Sequence, residues 1–173
     1  MASYYYLISS LPMLRADSAM PFSYETFLGL CAANVSKEKY RLLENLRVSS
    51  TEGPLVEEWA KFYDVFSREL TYQRNVRLGK PCEAPVEHEE EITRTIQTAL
   101  NTDNPLVAEE LLLDLQFRRL DALIGLHSFD DQQLFGYALK LKLLERLTVF
   151  DSAKGRAEFR RLFDGIEEQI QGA

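Results

Sequence analysis

The stretch 129–150, FDDQQLFGYALKLKLLERLTVF, constrains the fold more than any other part of the chain. Asp130 is placed to cap a helix, Gln133 to reach back as its capping-box partner, and Phe129 to staple onto Leu134. Beyond that start the apolar residues fall on two stripes. Leu134, Tyr137, Ala138, Leu141 and Leu144 form one; Phe135, Leu139, Leu143 and Leu147 form the other. A helix on the surface of a domain needs one stripe. Two stripes predict a central helix, covered from two sides.

The segment before it supplies the first cover. Asn104 and Pro105 read as a cap and a first-turn proline. They open a helix to about residue 126, with Leu113, Phe117, Leu120 and Ile124 on one stripe and Leu111, Leu115 and Ala122 on a second. His127 and Ser128 leave only a short turn, so the two helices should pack as an antiparallel hairpin. After residue 150, positions 151–155 read as a turn. A last covering helix is expected over 155–171, with Phe159, Leu162, Phe163, Ile166 and Ile170 on one face.

Upstream, Ser23 and Ser36 are N-cap candidates. The first opens a helix buried through Tyr24, Phe27, Leu28 and Cys31; the second opens a short one buried through Tyr40, Leu43 and Leu46. Pro54 fits the first position of a long helix carrying Leu55, Trp59, Phe62, Tyr63, Phe66 and Leu70. Arg74 and Arg77 suit its last turns and Gly79 its stop. Residues 79–86, with two prolines, are the expected hinge between two helical halves of a single domain, 1–173. A further helix begins in the acidic run 87–91 and continues through Ile92, Ile96, Ala99 and Leu100. The segment YYYLISSL at 4–11 has strand propensity. It is either extended or a first helix ended by Pro12. The expected class is therefore all-α, with six or seven helices in an irregular bundle.

Charge and motifs restrict the function. The chain carries 20 basic and 27 acidic residues, a net charge of −7. That disfavours nucleic acid and anionic lipid as partners. No run of 18 apolar residues occurs, and no basic segment precedes the first apolar run, so a cytoplasmic protein without direct membrane insertion is expected. Cys31 and Cys82 read as free thiols. His88 lies in EHEEE and His127 in a turn; neither has Glu-x-x-His spacing or a second histidine in HExxH spacing, so no metal site is expected. Glycine-rich phosphate loops and the G-x-S-x-G elbow are missing, and with them any expectation of a cofactor or of enzymatic activity. Arg118, Arg119, Lys140 and Arg146 are the candidate partner contacts, because they are cations on strongly apolar helices. The competing reading is that their stems pack and their heads pair within the chain, for example with Asp114 or Glu145.

Three segments carry a resemblance. They are YYYLISSLPML at 4–14, SYETFLGLC at 23–31, and the run at 114–163 from DLQFRRLDALIGLHSF to EFRRLF. Together they resemble a bacterial family associated with V-type ATPase gene clusters. The chain is more distantly similar to the all-helical central-stalk subunit of rotary V/A-type ATPases that forms a socket between the rotating shaft and the proteolipid ring. At 173 residues it is about half as long as that subunit. The resemblance implies a non-catalytic subunit or assembly factor of a proton- or sodium-translocating ATPase, a short counterpart of the socket. Its partners would be other V-type ATPase subunits, and its place the cytoplasmic side of the inner membrane. The alternative is a free-standing helical adaptor.

Overall fold

In the computed structural model residues 4–148 are described, and the helix expected over 155–171 lies outside them. Among the described residues there are seven helices and no strand: α1 (Tyr5–Ser10), α2 (Tyr24–Ala32), α3 (Lys37–Glu44), α4 (Val56–Arg77), α5 (Glu90–Leu100), α6 (Pro105–Ile124) and α7 (Asp131–Thr148). The fold is all-α, as the periodicity predicts.

Most boundaries are set locally. The Ser23 and Ser36 hydroxyls accept from the amides of Thr26 and Lys39, and Asn104 accepts from Leu106 with Pro105 in the first turn. Asp130 Oδ1 accepts from the Gln133 amide at 3.1 Å while Gln133 Oε1 accepts from the Phe129 amide, a complete capping box at the start of α7. α4 stops at Gly79, whose φ is +65°. The Gly79 amide donates to Val76 and the Lys80 amide to Asn75, each at 3.0 Å, the paired bonds of a Schellman stop.

Two local expectations need correction. α4 does not start at Pro54. Gly53, at φ +125°, and Leu55, at φ +65°, put a turn there, closed by the Val56 amide on the Gly53 carbonyl. Leucine in the left-handed region is strained; its side chain is only 6% exposed, and that burial holds it. On α6 the second stripe is displaced: Ala122 is exposed, whereas Leu112 and Gln116 are buried. α6 meets α4 and α5 on one flank and α7 on the other, so its buried surface follows those neighbours. Of the two states open to the segment at 4–11, the chain adopts the helix, over Tyr5–Ser10. Among the described residues no strand exists to pair with it, and a lone strand leaves its backbone groups unbonded.

α6 is the shared wall. α4, α5 and α6 pack against one another, α7 packs on α6, and α2 with α3 covers α7 from outside. Going backwards along α6 from Ile124 through Asp121 to Phe117, the partners on α7 run forwards from Gly136 to Lys140, so the hairpin is antiparallel. Leu134, Phe135, Ala138, Leu139 and Leu141 have no exposed surface, and Leu143 and Leu144 have almost none. Both stripes of α7 are thus in the core. At Gly136 the two helices come so close that an added Cβ would lie 2.5 Å from Ile124 Cδ1 and 2.7 Å from its Cγ1.

Leu141→Ala is expected to lower unfolding free energy by about 2–5 kcal/mol in urea titration, since the cavity lies among fully buried neighbours. A loss well under about 1 kcal/mol would place the centre of the domain elsewhere. Gly136→Ala should gain up to about 1 kcal/mol of helix propensity and lose more to overpacking against Ile124, roughly 1–3 kcal/mol. Adding Ile124→Ala should relieve part of that loss. Strict additivity of the two changes in a double-mutant cycle would mean that the helices do not touch there.

Candidate interaction surface

The start of α7 is a polar node. The Asp131 carboxylate accepts from the Tyr4 hydroxyl at 2.9 Å and from the Lys39 ammonium at 2.6 Å. The Tyr4 amide donates to the Phe129 carbonyl at 2.7 Å. One carboxylate therefore ties the N-terminal segment, α3 and α7 together, with the Lys39 and Asp131 side chains only about a quarter exposed. The Lys39 hydrogen bond to Asp131 outweighs desolvation and raises the lysine pKa. Burial, with the hydrogen bond to Asp131, raises that of Tyr4.

Tyr4 points inward, so its two neighbours cannot. Tyr5 is 54% and Tyr6 87% exposed. The Tyr5 ring lies 4.8 Å from Phe129 and 5.5 Å from Tyr6, an aromatic row that runs outward from the hairpin turn. Met13, just beyond α1, is 86% exposed. Rigid aromatic rings with a polar tip give large contact area at low entropic cost, which is why protein interfaces are enriched in them. Sequence reasoning did not single out this row. The signal was there: once 4–11 is helical, three consecutive tyrosines cannot all face the core.

The four cations singled out from sequence do not form one patch. Arg118 reaches Glu91 at 2.6 Å and Asp114 at 3.1 Å. Arg119 binds both oxygens of Glu89 and sits 5.0 Å over the Phe62 ring. Lys140 is buried, pairs with Asp121 and lies over Phe117. Arg146 donates to the Tyr63 hydroxyl at 3.4 Å. They serve three different contacts: α6 with the start of α5, α6 with α7, and α7 with α4. The acidic run at the start of α5 is likewise more than a solvated helix start. Glu89 and Glu91 hold those arginines, and His88 Nδ1 lies 3.4 Å from the buried Glu69 carboxylate.

Burial pushes the Cys31 thiol up to about 12, far from the thiolate needed for nucleophilic attack. Among the described residues no three His, Cys, Asp or Glu side chains are grouped to hold a metal ion. No described helix is long and apolar enough to cross a membrane. No protein-family model, curated protein or solved structure matches the chain.

The node has a measurable acid limit. Partial burial pushes the Asp130 carboxyl up, but amide hydrogen bonds from Gln133 and Gln132 and the His127 ring outweigh it, leaving the pKa below 3.8. A carboxylate depressed on folding adds stability above its unfolded pKa and loses it as pH falls through the folded one. Asp130→Ala should therefore cost about 1 kcal/mol at neutral pH. The difference from wild type should narrow as pH falls below about 4. A cost independent of pH in parallel urea titrations would show that the charge contributes nothing.

Proposed function

We propose that this protein is a non-catalytic helical subunit or assembly factor of a bacterial V-type ATPase, acting through shape-matched contact with other subunits. One observation carries the reading: the three segments that bear the resemblance meet in space. The Tyr137 hydroxyl of α7 donates to the Pro12 carbonyl at 3.0 Å, and Tyr4 is bonded to Phe129 and Asp131. The Phe27 ring of α2 lies tilted against Tyr137 with centroids 5.6 Å apart, and Lys142 of α7 lies 3.7 Å over the Tyr24 ring. Segments 4–14, 23–31 and the α7 part of 114–163 thus form one continuous unit, which is what inheritance of a folded module would leave. The exposed row of Tyr5 and Tyr6 belongs to that unit and is the surface through which it would meet a partner subunit. A contact of this kind needs no bound nucleotide; it organises the stalk while other subunits hydrolyse ATP and move the ion.

Affinity isolation of the tagged protein from membranes of cells that express it, followed by mass spectrometry, tests the reading. ATPase subunits should be recovered, and Tyr6→Asp should lower that recovery by about tenfold, equivalent to ~1.4 kcal/mol, without changing the melting temperature. Absence of the protein from the complex, together with normal ATPase assembly after its deletion, would contradict it. Recovery of an unrelated partner alone would favour a free-standing adaptor.

A further inference from the structure

α6 carries a third face, and no other helix among the described residues lines it. From Val107 to Asp121 its residues recur every three or four positions along one side of an open groove of about 530 Å³. The irregular segment 13–17 forms the other side. At about 1.5 Å per residue the α6 stripe is roughly 21 Å long. The groove has an apolar floor, with Leu14 and Phe117 buried and Leu111 half-buried. Met13 and Val107, which also line it, are large apolar side chains left exposed. Exposed apolar surface rimmed by polar residues marks interaction sites.

Here the rim is acidic. Asp17, Glu110, Asp114 and Asp121 line the groove, against Arg15 and Arg118. Both arginines are already engaged, Arg15 by Asp17 and Arg118 by Asp114 and Glu91. Asp17, Asp114 and Asp121 each keep more than half of the side chain exposed, and Glu110 has no ion-pair partner among the described residues. The result is an excess of negative charge along an apolar floor. Such a rim repels nucleic acid and anionic lipid. A small molecule would normally have roughly 70–90% of its surface enclosed, which a trough open along its length does not provide. A second copy brings a net charge of −7 and is opposed by the same repulsion. A helix with apolar residues at every third or fourth position, flanked by lysine or arginine, matches both floor and rim. We propose that this groove binds a basic amphipathic helix of a partner protein, with its apolar side chains on Leu14, Leu111 and Phe117 and its cations beside Glu110, Asp114 and Asp121. This contact does not depend on the ATPase reading.

Fluorescence anisotropy with the full chain and a labelled helical peptide of leucine and lysine, its leucines at every third or fourth position, tests it. The peptide should bind about tenfold more tightly than a scrambled peptide of the same composition. Val107→Asp and Glu110→Lys, at an exposed and a half-buried position, should each weaken binding by about tenfold without moving the melting temperature. Glu83→Lys makes the same charge change in the exposed connector ahead of α5 and should alter binding by less than about twofold. Charge attraction alone would make Val107→Asp bind more tightly, so the sign of that change separates an apolar seat from a diffuse field. Equal binding of the scrambled peptide, tighter binding by Val107→Asp, or equal losses from Glu83→Lys and Glu110→Lys would overturn the proposal. No binding by the full chain would show the groove closed to a helix and overturn it as well. A stable dimer in analytical ultracentrifugation that Val107→Asp dissociates would assign the groove to a second copy instead.

Discussion

The structure depends on α7 being approached closely from two sides. Gly136 lets α6 come within reach of the α7 backbone, where any side chain would strike Ile124. On the same helix Phe135 is fully buried and reaches the Gly53 turn, where an added Cβ would lie 3.2 Å from its ring. Core packing at crystal-like density leaves little slack for such contacts. The strained Leu55 turn, the start of α4 and the angle of the hairpin therefore follow from the space that α7 leaves. The charged residues on α7 obey the same constraint. Lys140 crosses to Asp121 and Phe117, and Lys142 covers the Tyr24 ring, so their stems extend the apolar contact while their heads are paired or stacked.

The same helix positions the surface that could carry function. Its capping box orients Phe129 and Asp131, these two bind Tyr4, and the fixed Tyr4 turns Tyr5 and Tyr6 outward. The exposed aromatics are thus presented by a rigid node. Their chemistry suits contact with another protein, and the convergence of the three resembling segments around the node is the ground for proposing an ATPase assembly as that partner. The candidate cations have other duties. Arg118 and Arg119 hold Glu91 and Glu89, at the start of α5, to α6.

Local signals made most of this legible in the sequence. Ser23, Ser36, Asn104, Asp130 and Gly79 mark helix boundaries because each satisfies backbone groups within a few residues of itself. The two stripes of α7 were legible because burial on both sides leaves no polar face to obscure the period. What escaped depends on neighbours distant in sequence. The burial of Gln116, Leu112 and Glu69 reflects which helices flank α6 and α4, and periodicity cannot supply that. The choice of helix over strand for Tyr5–Ser10, which the sequence leaves open, goes with anchors at Phe129 and Asp131 more than a hundred residues away. The left-handed Leu55 is likewise invisible in a sequence where Pro54 suits a helix start.

Native-state hydrogen exchange tests the central role of α7 most directly. Amides that open only by global unfolding report the most stable unit of a fold. The slowest amides should lie between Leu134 and Leu144, with their partners in α6, and share one opening free energy equal to that from urea denaturation. If amides in α4 or α5 remain protected after those of α7 have exchanged, α7 is not the element that holds the domain together.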